Sequence, residues 1–178
     1  MTANRYSGRI HMRSFTITNN RTFMAALFTG TLFDSFQTES VQITTACTLK
    51  IDGRTVPAFY TAEELAEMSE ELPAFTLWAN LRNLCFSAIK GKKTPLSFQI
   101  TFHADKKTAD RLTALEECTV DRSFVQALVL TVRFESGVCR LTTGTAYTTF
   151  LPDKSLDPLW DAEIQRFLSE HEIETAVM

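Results

Sequence analysis

The sequence predicts an α+β fold, a mixed and largely antiparallel sheet with amphipathic helices packed on it. Between Val125 and Phe150, Leu128, Leu130, Val132 and Phe134 alternate with Val129, Thr131 and Arg133. After Glu135-Ser136-Gly137, Cys139, Leu141, Thr143, Thr145 and Tyr147 alternate again. Period-two alternation around a short glycine-containing connection is the pattern of a β-hairpin. The spacing suggests a three-residue loop with Gly137 as its left-handed residue. Upstream, Leu77, Trp78, Leu81, Leu84, Cys85, Ala88 and Ile89 recur at helical spacing, which gives a helix one apolar stripe. Interleaved helices and hairpins favour α+β over a doubly wound fold.

The elements follow in order. Residues 1–12 are polar and unpatterned and read as a flexible leader, with Met12 an alternative start. Residues 13–178 then read as a single α+β domain. Ser14 to Thr18 is a short strand. Asn19 or Asn20 caps a helix whose stripe is Phe23, Met24, Leu27 and Phe28, and Gly30 ends it. Val41, Ile43, Cys47, Leu49 and Ile51 form one long alternating run, Asp52-Gly53 turns the chain, and Arg54 to Phe59 returns as a short strand. Thr61 and Glu64 make a capping box for an acidic helix reaching Leu72, and Pro73 breaks it. After the apolar helix and Gly91, Leu96, Phe98, Ile100 and Phe102 alternate as a strand. Asp105 opens a helix with Ala109, Leu112 and Leu115. Asp157 as cap with Pro158 at the first helical position starts the last helix, whose stripe is Trp160, Ile164, Phe167 and Leu168.

Composition excludes several classes. The chain of 178 residues is 44% hydrophobic and 22% charged, with fourteen Phe against three Tyr, the balance of a globular protein with a well-filled interior. Cys47, Cys85, Cys118 and Cys139 are widely spaced with no C-x-x-C pair, so they read as buried, inert thiols of a reducing compartment and the expected location is cytoplasmic. No run reaches transmembrane length. The net charge of −3 gives no global drive toward nucleic acid. That sum hides segregation, because Leu72 to Ala104 carries Arg82, Lys90, Lys92 and Lys93 and no acid. Glu63, Glu64, Glu67, Glu70 and Glu71 crowd one helix, and seven acids run from Asp153 to Glu174.

Catalytic motifs are scarce. His11 lies in the leader and His171 at the end of the last helix, where it complements the dipole. His103, two residues before Asp105, could form a His–Asp base, but no G-x-S-x-G serine or H-E-x-x-H pair accompanies it. Lys90-Gly91-Lys92-Lys93-Thr94 has the residue types of a phosphate loop. It follows a helix and precedes a strand, however, whereas a Walker loop opens a helix. The sequence predicts no catalytic residue, no cofactor and no metal.

Phe33-Asp34-Ser35-Phe36, Ile51-Asp52-Gly53-Arg54, Ile89 to Phe98 and Asp153-Lys154-Ser155-Leu156-Asp157 before Trp160-Asp161 together resemble an uncharacterised family of bacterial proteins from Firmicutes, classed as a domain of unknown function. The likeness spans nearly all of the chain after Met12 and implies no activity. In element order alone the chain is also similar to one domain of DNA sliding clamps. The expectation is therefore a non-catalytic macromolecular-interaction or structural domain, binding a protein partner or a second copy of itself and no membrane. One alternative is a clamp-like nucleic-acid accessory protein that uses Arg82, Lys90, Lys92, Lys93 and Thr94. The other is an enzyme acting on an anionic small molecule at that loop, with His103 nearby.

Overall fold

The structure is a computed structural model that describes residues 12–68 and 71–177. Strand β1 (Ser14–Ile17) leads into helix α1 (Asn20–Phe28), whose first turn is held by Asn19 Oδ1 accepting from the Thr22 amide at 3.1 Å. Strands β2 (Gln37–Thr44) and β3 (Thr48–Asp52) form a hairpin. A connection then carries a 3₁₀ turn over Pro57–Phe59 and the short helix α2 (Ala62–Glu67) to helix α3 (Trp78–Ile89). Strand β4 (Ser97–His103), helix α4 (Lys106–Thr113), the long hairpin β5 (Val125–Glu135) and β6 (Val138–Tyr147), helix α5 (Leu156–Glu170) and strand β7 (Thr175–Val177) complete the order.

The seven strands of the described residues share one sheet in the order β3-β2-β4-β5-β6-β1-β7, with every neighbouring pair antiparallel. One face is covered. Phe98, Ile100 and Phe102 of β4 and Leu128, Leu130, Val132 and Phe134 of β5 point into it and are buried. Phe28 of α1 meets Phe98 edge-on at 5.3 Å, and Trp78 of α3 meets Phe102 at 5.4 Å. The indole of Trp160 in α5 donates to the Val129 carbonyl at 2.9 Å. The opposite face carries Gln42, Gln99, Arg133 and Arg140, all exposed. An amphipathic sheet covered by helices on one side is the expected two-layer solution.

Several expectations are corrected. The β5–β6 loop has two residues, since Glu135 pairs with Val138 and Ser136 and Gly137 take φ of 53° and 78°. Positive φ at both positions gives a type I′ turn, which matches the twist of the flanking strands. The run from Val41 to Ile51 is two strands, broken at Thr45–Cys47 where Thr44 pairs with Thr48. Arg54 to Phe59 is not a strand: Arg54 makes an isolated bridge to Phe75 and the chain then enters the 3₁₀ turn. The predicted order of strands and helices thus survives as far as α5, with different residues in the first hairpin. Helix α2 keeps its capping box but ends at Glu67. Helix α5 starts at Leu156, one residue before the expected cap, because Leu156 is itself core and fully buried. Strand β7 pairs with β1 and lacks any alternating signal of its own. The expected leader, apart from exposed Met12, lies outside the described residues.

The cysteines divide. All four are free, Cys85 and Cys139 are buried, and Cys47 is exposed in the β2–β3 turn, which corrects the uniformly buried reading. Burial pushes the Cys85 thiol up to about 11 and the Cys139 thiol up to about 12. A thiol-specific reagent should therefore label Cys47 at once in the native protein, and Cys85 and Cys139 only on unfolding. Rapid native labelling of Cys85 would contradict its place in the core. Because both thiols titrate above their ordinary range when folded, their contribution to stability is intact below about pH 8.5 and declines as pH rises toward their folded values.

Candidate interaction surface

The basic segment starts where α3 ends. Lys90 is the C-cap residue, with its amide donating to the Phe86 carbonyl at 2.9 Å. The Leu96 amide bonds the Thr44 carbonyl at 2.9 Å and seats the loop beside the end of β2. Lys90, Lys92, Lys93 and Thr94 are exposed, and none of the lysines makes an ion pair among the described residues. The first turn of α1, which carries exposed Arg21, lies at the same end of the sheet, since Asn20 bonds the Gly137 carbonyl in the β5–β6 turn. Arg82 does not join this group. Its guanidinium forks onto Asp34, Nε to Oδ1 at 2.8 Å and Nη2 to Oδ2 at 3.1 Å, and also reaches the Thr29 carbonyl. A bidentate, half-buried pair of this kind clamps α3 to the segment after α1 and neutralises the charge.

His103 stands at the other end of β4. Seven residues of strand at about 3.3 Å each put it roughly 20 Å from the loop, so the two halves of the enzyme alternative are apart. Its partner is Glu39, with Nε2 2.7 Å from Oε2, and Phe75 packs edge-on against the ring. The expected His103–Asp105 pair is not formed. Asp105 instead caps α4, its Oδ1 accepting from the Thr108 amide at 2.8 Å. Glu39 sits at the register shift between Thr38 and Ser40, and a bulge of this sort cannot be read from one strand's alternation.

A second polar cluster was missed. Asp157 and Asp161 of α5 are both buried. The Tyr147 hydroxyl donates to Asp157 Oδ1 at 3.0 Å, and the Thr143 hydroxyl donates to Asp161 Oδ1. Burial first, and then the Asp157 carboxylate, pushes the Tyr147 hydroxyl well above its ordinary range. The signal was available, because positions 157 and 161 fall in phase with Ile164 and Leu168 on the buried stripe. These groups join α5 to β6. A cavity of about 120 Å³ lies elsewhere on α5, lined by Asp105 and Thr108 of α4 and by Trp160, Glu163 and Phe167. It is small beside the usual few hundred Å³ of a ligand site. Burial pushes the Glu163 carboxyl up, but hydrogen bonds from Arg166 and Arg111 outweigh that and hold it below its usual range.

Seven of the twelve exposed large apolar side chains among the described residues lie between Val56 and Phe86, while Leu96 and Phe150, 69% and 79% exposed, lie outside that stretch. Val56, Phe59, Leu65 and Met68 are exposed along the β3–α3 connection, Phe59 to 83%, and α2 buries no residue. On α3, the expected stripe splits. Trp78 and Cys85 are buried, but Leu84 is 54% exposed and Leu77 is also exposed. At about 100° per residue, Leu77, Leu81, Leu84 and Ala88 lie on the side of α3 turned away from Arg82 and hence away from α1. α3 packs on β2, the strand next to β3, where Leu49 and Ile51 are half-buried.

No helix among the described residues is long and apolar enough to cross a membrane. No group of three or more His, Cys, Asp or Glu among the described residues is placed to hold a metal ion. Comparison with curated proteins and with solved structures finds no match. Residues 26–175 match the model of a family of unknown function, DUF5721, and the chain belongs to that family.

Proposed function

We propose that the chain is a non-catalytic protein-interaction module of the cytoplasm. Its contact surface is the outer stripe of α3 with the neighbouring β3 edge and the connection between them. The observation that carries this reading is the run of exposed large apolar residues from Val56 to Leu84, set on an otherwise well-buried core. Exposed apolar groups gathered in this way mark association sites. Four free thiols fit a reducing compartment. A photo-crosslinking residue placed at Leu84 or Phe59 should give discrete adducts in cells making the chain, and one placed at Arg133 on the open sheet face should not. Adducts at all three sites, or at none, would overturn the reading.

A second reading, contact with nucleic acid or another anion at Lys90, Lys92, Lys93 and Thr94, is supported by the unpaired lysines and by Arg21 at the same end of the sheet. No aromatic side chain interleaves with these lysines to stack on bases, so the interaction reading is preferred. If the lysines bind duplex DNA, Lys92→Ala with Lys93→Ala should flatten the slope of log affinity against log salt by about two units. The preferred reading expects no salt-sensitive binding by the wild type in a titration with labelled duplex, and a stability loss in the variant of at most about 1 kcal/mol per lysine.

A further inference from the structure

We infer that the chain pairs with a second copy of itself through the free edge of β3, in an antiparallel register centred on Ile51. This rests on the interaction reading and names the partner. In the β2–β3 hairpin the Thr45 amide bonds the Cys47 carbonyl at 2.8 Å, and at the far end the Gly53 amide bonds the Glu39 carbonyl at 2.9 Å. Antiparallel pairs alternate between bonded and non-bonded. Counting from either end, Leu49, Ile51 and Gly53 turn their backbone groups toward β2, and Thr48, Lys50 and Asp52 turn theirs outward. β3 ends the sheet, and those three residues are exposed. The segment around Thr76 bonds the Gly53 carbonyl and the Thr38 amide on the β2 side, so it leaves the outer edge open. Such an edge is a template for another strand.

Charge selects the strand and its register. Two-fold pairing must set outward-turned residues opposite one another. Centred on Lys50, it opposes lysine to lysine. Centred on Asp52, it opposes aspartate to aspartate and Lys50 to Arg54. Centred on Leu49, it opposes Lys50 to Thr48. Centred on Ile51, it sets each Lys50 opposite Asp52 of the second copy, giving two symmetric ion pairs at bonded positions, where opposite charges stabilise and like charges destabilise. On the covered face the same axis brings Ile51 against Ile51 and the Leu84 stripe of α3 toward its copy. A symmetric interface of this isologous kind is closed and does not propagate.

Sedimentation of the purified full chain tests this. Wild type should show a monomer–dimer equilibrium. Lys50→Asp and Asp52→Lys should each weaken it by about tenfold or more, and the double swap should restore it. In a Cys47→Ser background, Ile51→Cys should oxidise to a covalent dimer, because a non-bonded pair places the two Cα atoms about 4.5 Å apart, within disulfide reach. Leu49→Cys, opposite Gly53, should not. A wild type that stays monomeric to about 1 mM, the weak end of specific association, overturns the dimer. So does a double swap that fails to rescue, or a Leu49→Cys variant that crosslinks better than Ile51→Cys. If discrete adducts still form at Leu84 in any of these cases, the interaction reading stands with a different partner.

Discussion

Replacing Trp78 with alanine should cost about 5 kcal/mol or more, enough to threaten folding when whole domains hold about 5–15 kcal/mol. Two losses combine. Removing a fully buried large aromatic costs about 3–5 kcal/mol through lost transfer energy and the cavity left behind. The ring packs edge-on against Phe28 and Phe102, so no neighbour can collapse into the space without leaving its own contact. The indole N–H also donates to the Leu27 carbonyl at 2.8 Å in a buried setting. Leu27 lies in the last turn of α1, where helix carbonyls lack intrahelical donors, and α3 supplies the missing one. Trp78→Phe isolates this second effect. It keeps most of the apolar area and should cost about 1–3 kcal/mol for the orphaned carbonyl, read as a shift in urea midpoint at unchanged slope. A Trp78→Phe variant within about 0.5 kcal/mol of wild type would show that the indole bond does not hold α1 to α3.

The same residue shows what the sequence made legible. Helical spacing placed Trp78, Leu81, Leu84, Cys85 and Ile89 on α3 correctly, and hairpin alternation found β5 and β6 with the loop one residue too long. Spacing assigns a face and does not say what covers it. Leu84 shares the apolar stripe with Cys85, yet one is open and the other sealed, and α3 packs on β2, one strand in from β3 at the edge of the sheet. Edge position is a property of strand order, and strand order is set by pairing between distant segments. For that reason the basic loop and His103 looked like neighbours in the sequence and stand at opposite ends of β4. Arg82 looked free in a segment without acids, and its partner Asp34 lies 48 residues away. Asp157 fitted a cap by residue type, but the apolar phase of α5 carried it inward. Local rules identified the elements, and tertiary pairing decided which charges remained available.

Gly53→Ala should lower stability by about 3–5 kcal/mol through a backbone clash that no side chain can relieve. A turn glycine is expected from Asp52-Gly53 because glycine accepts a left-handed backbone, but Gly53 is not among the positive-φ glycines. Its requirement is closeness. A Cβ there would lie 1.7 Å from the Thr38 carbonyl oxygen and 2.8 Å from its carbon. That carbonyl belongs to β2, whose pairing with β4 fixes Thr38 opposite Phe102. The chain must therefore open at Gly53, breaking the bonds from its amide to Glu39 and from Thr76 to its carbonyl, at 2.9 and 2.8 Å. Two partly buried backbone bonds at about 1–3 kcal/mol each set the size of the effect. The damage should also be local first. These bonds anchor the end of β3 and the segment that leads into α3, so amide exchange at Thr76 should accelerate before global unfolding does. Because the same bonds aim Lys50 and Asp52 outward, any self-association through the β3 edge should weaken in step. An alanine variant with wild-type stability and unchanged exchange at Thr76 would mean that β2 and β3 do not approach as closely as the geometry requires.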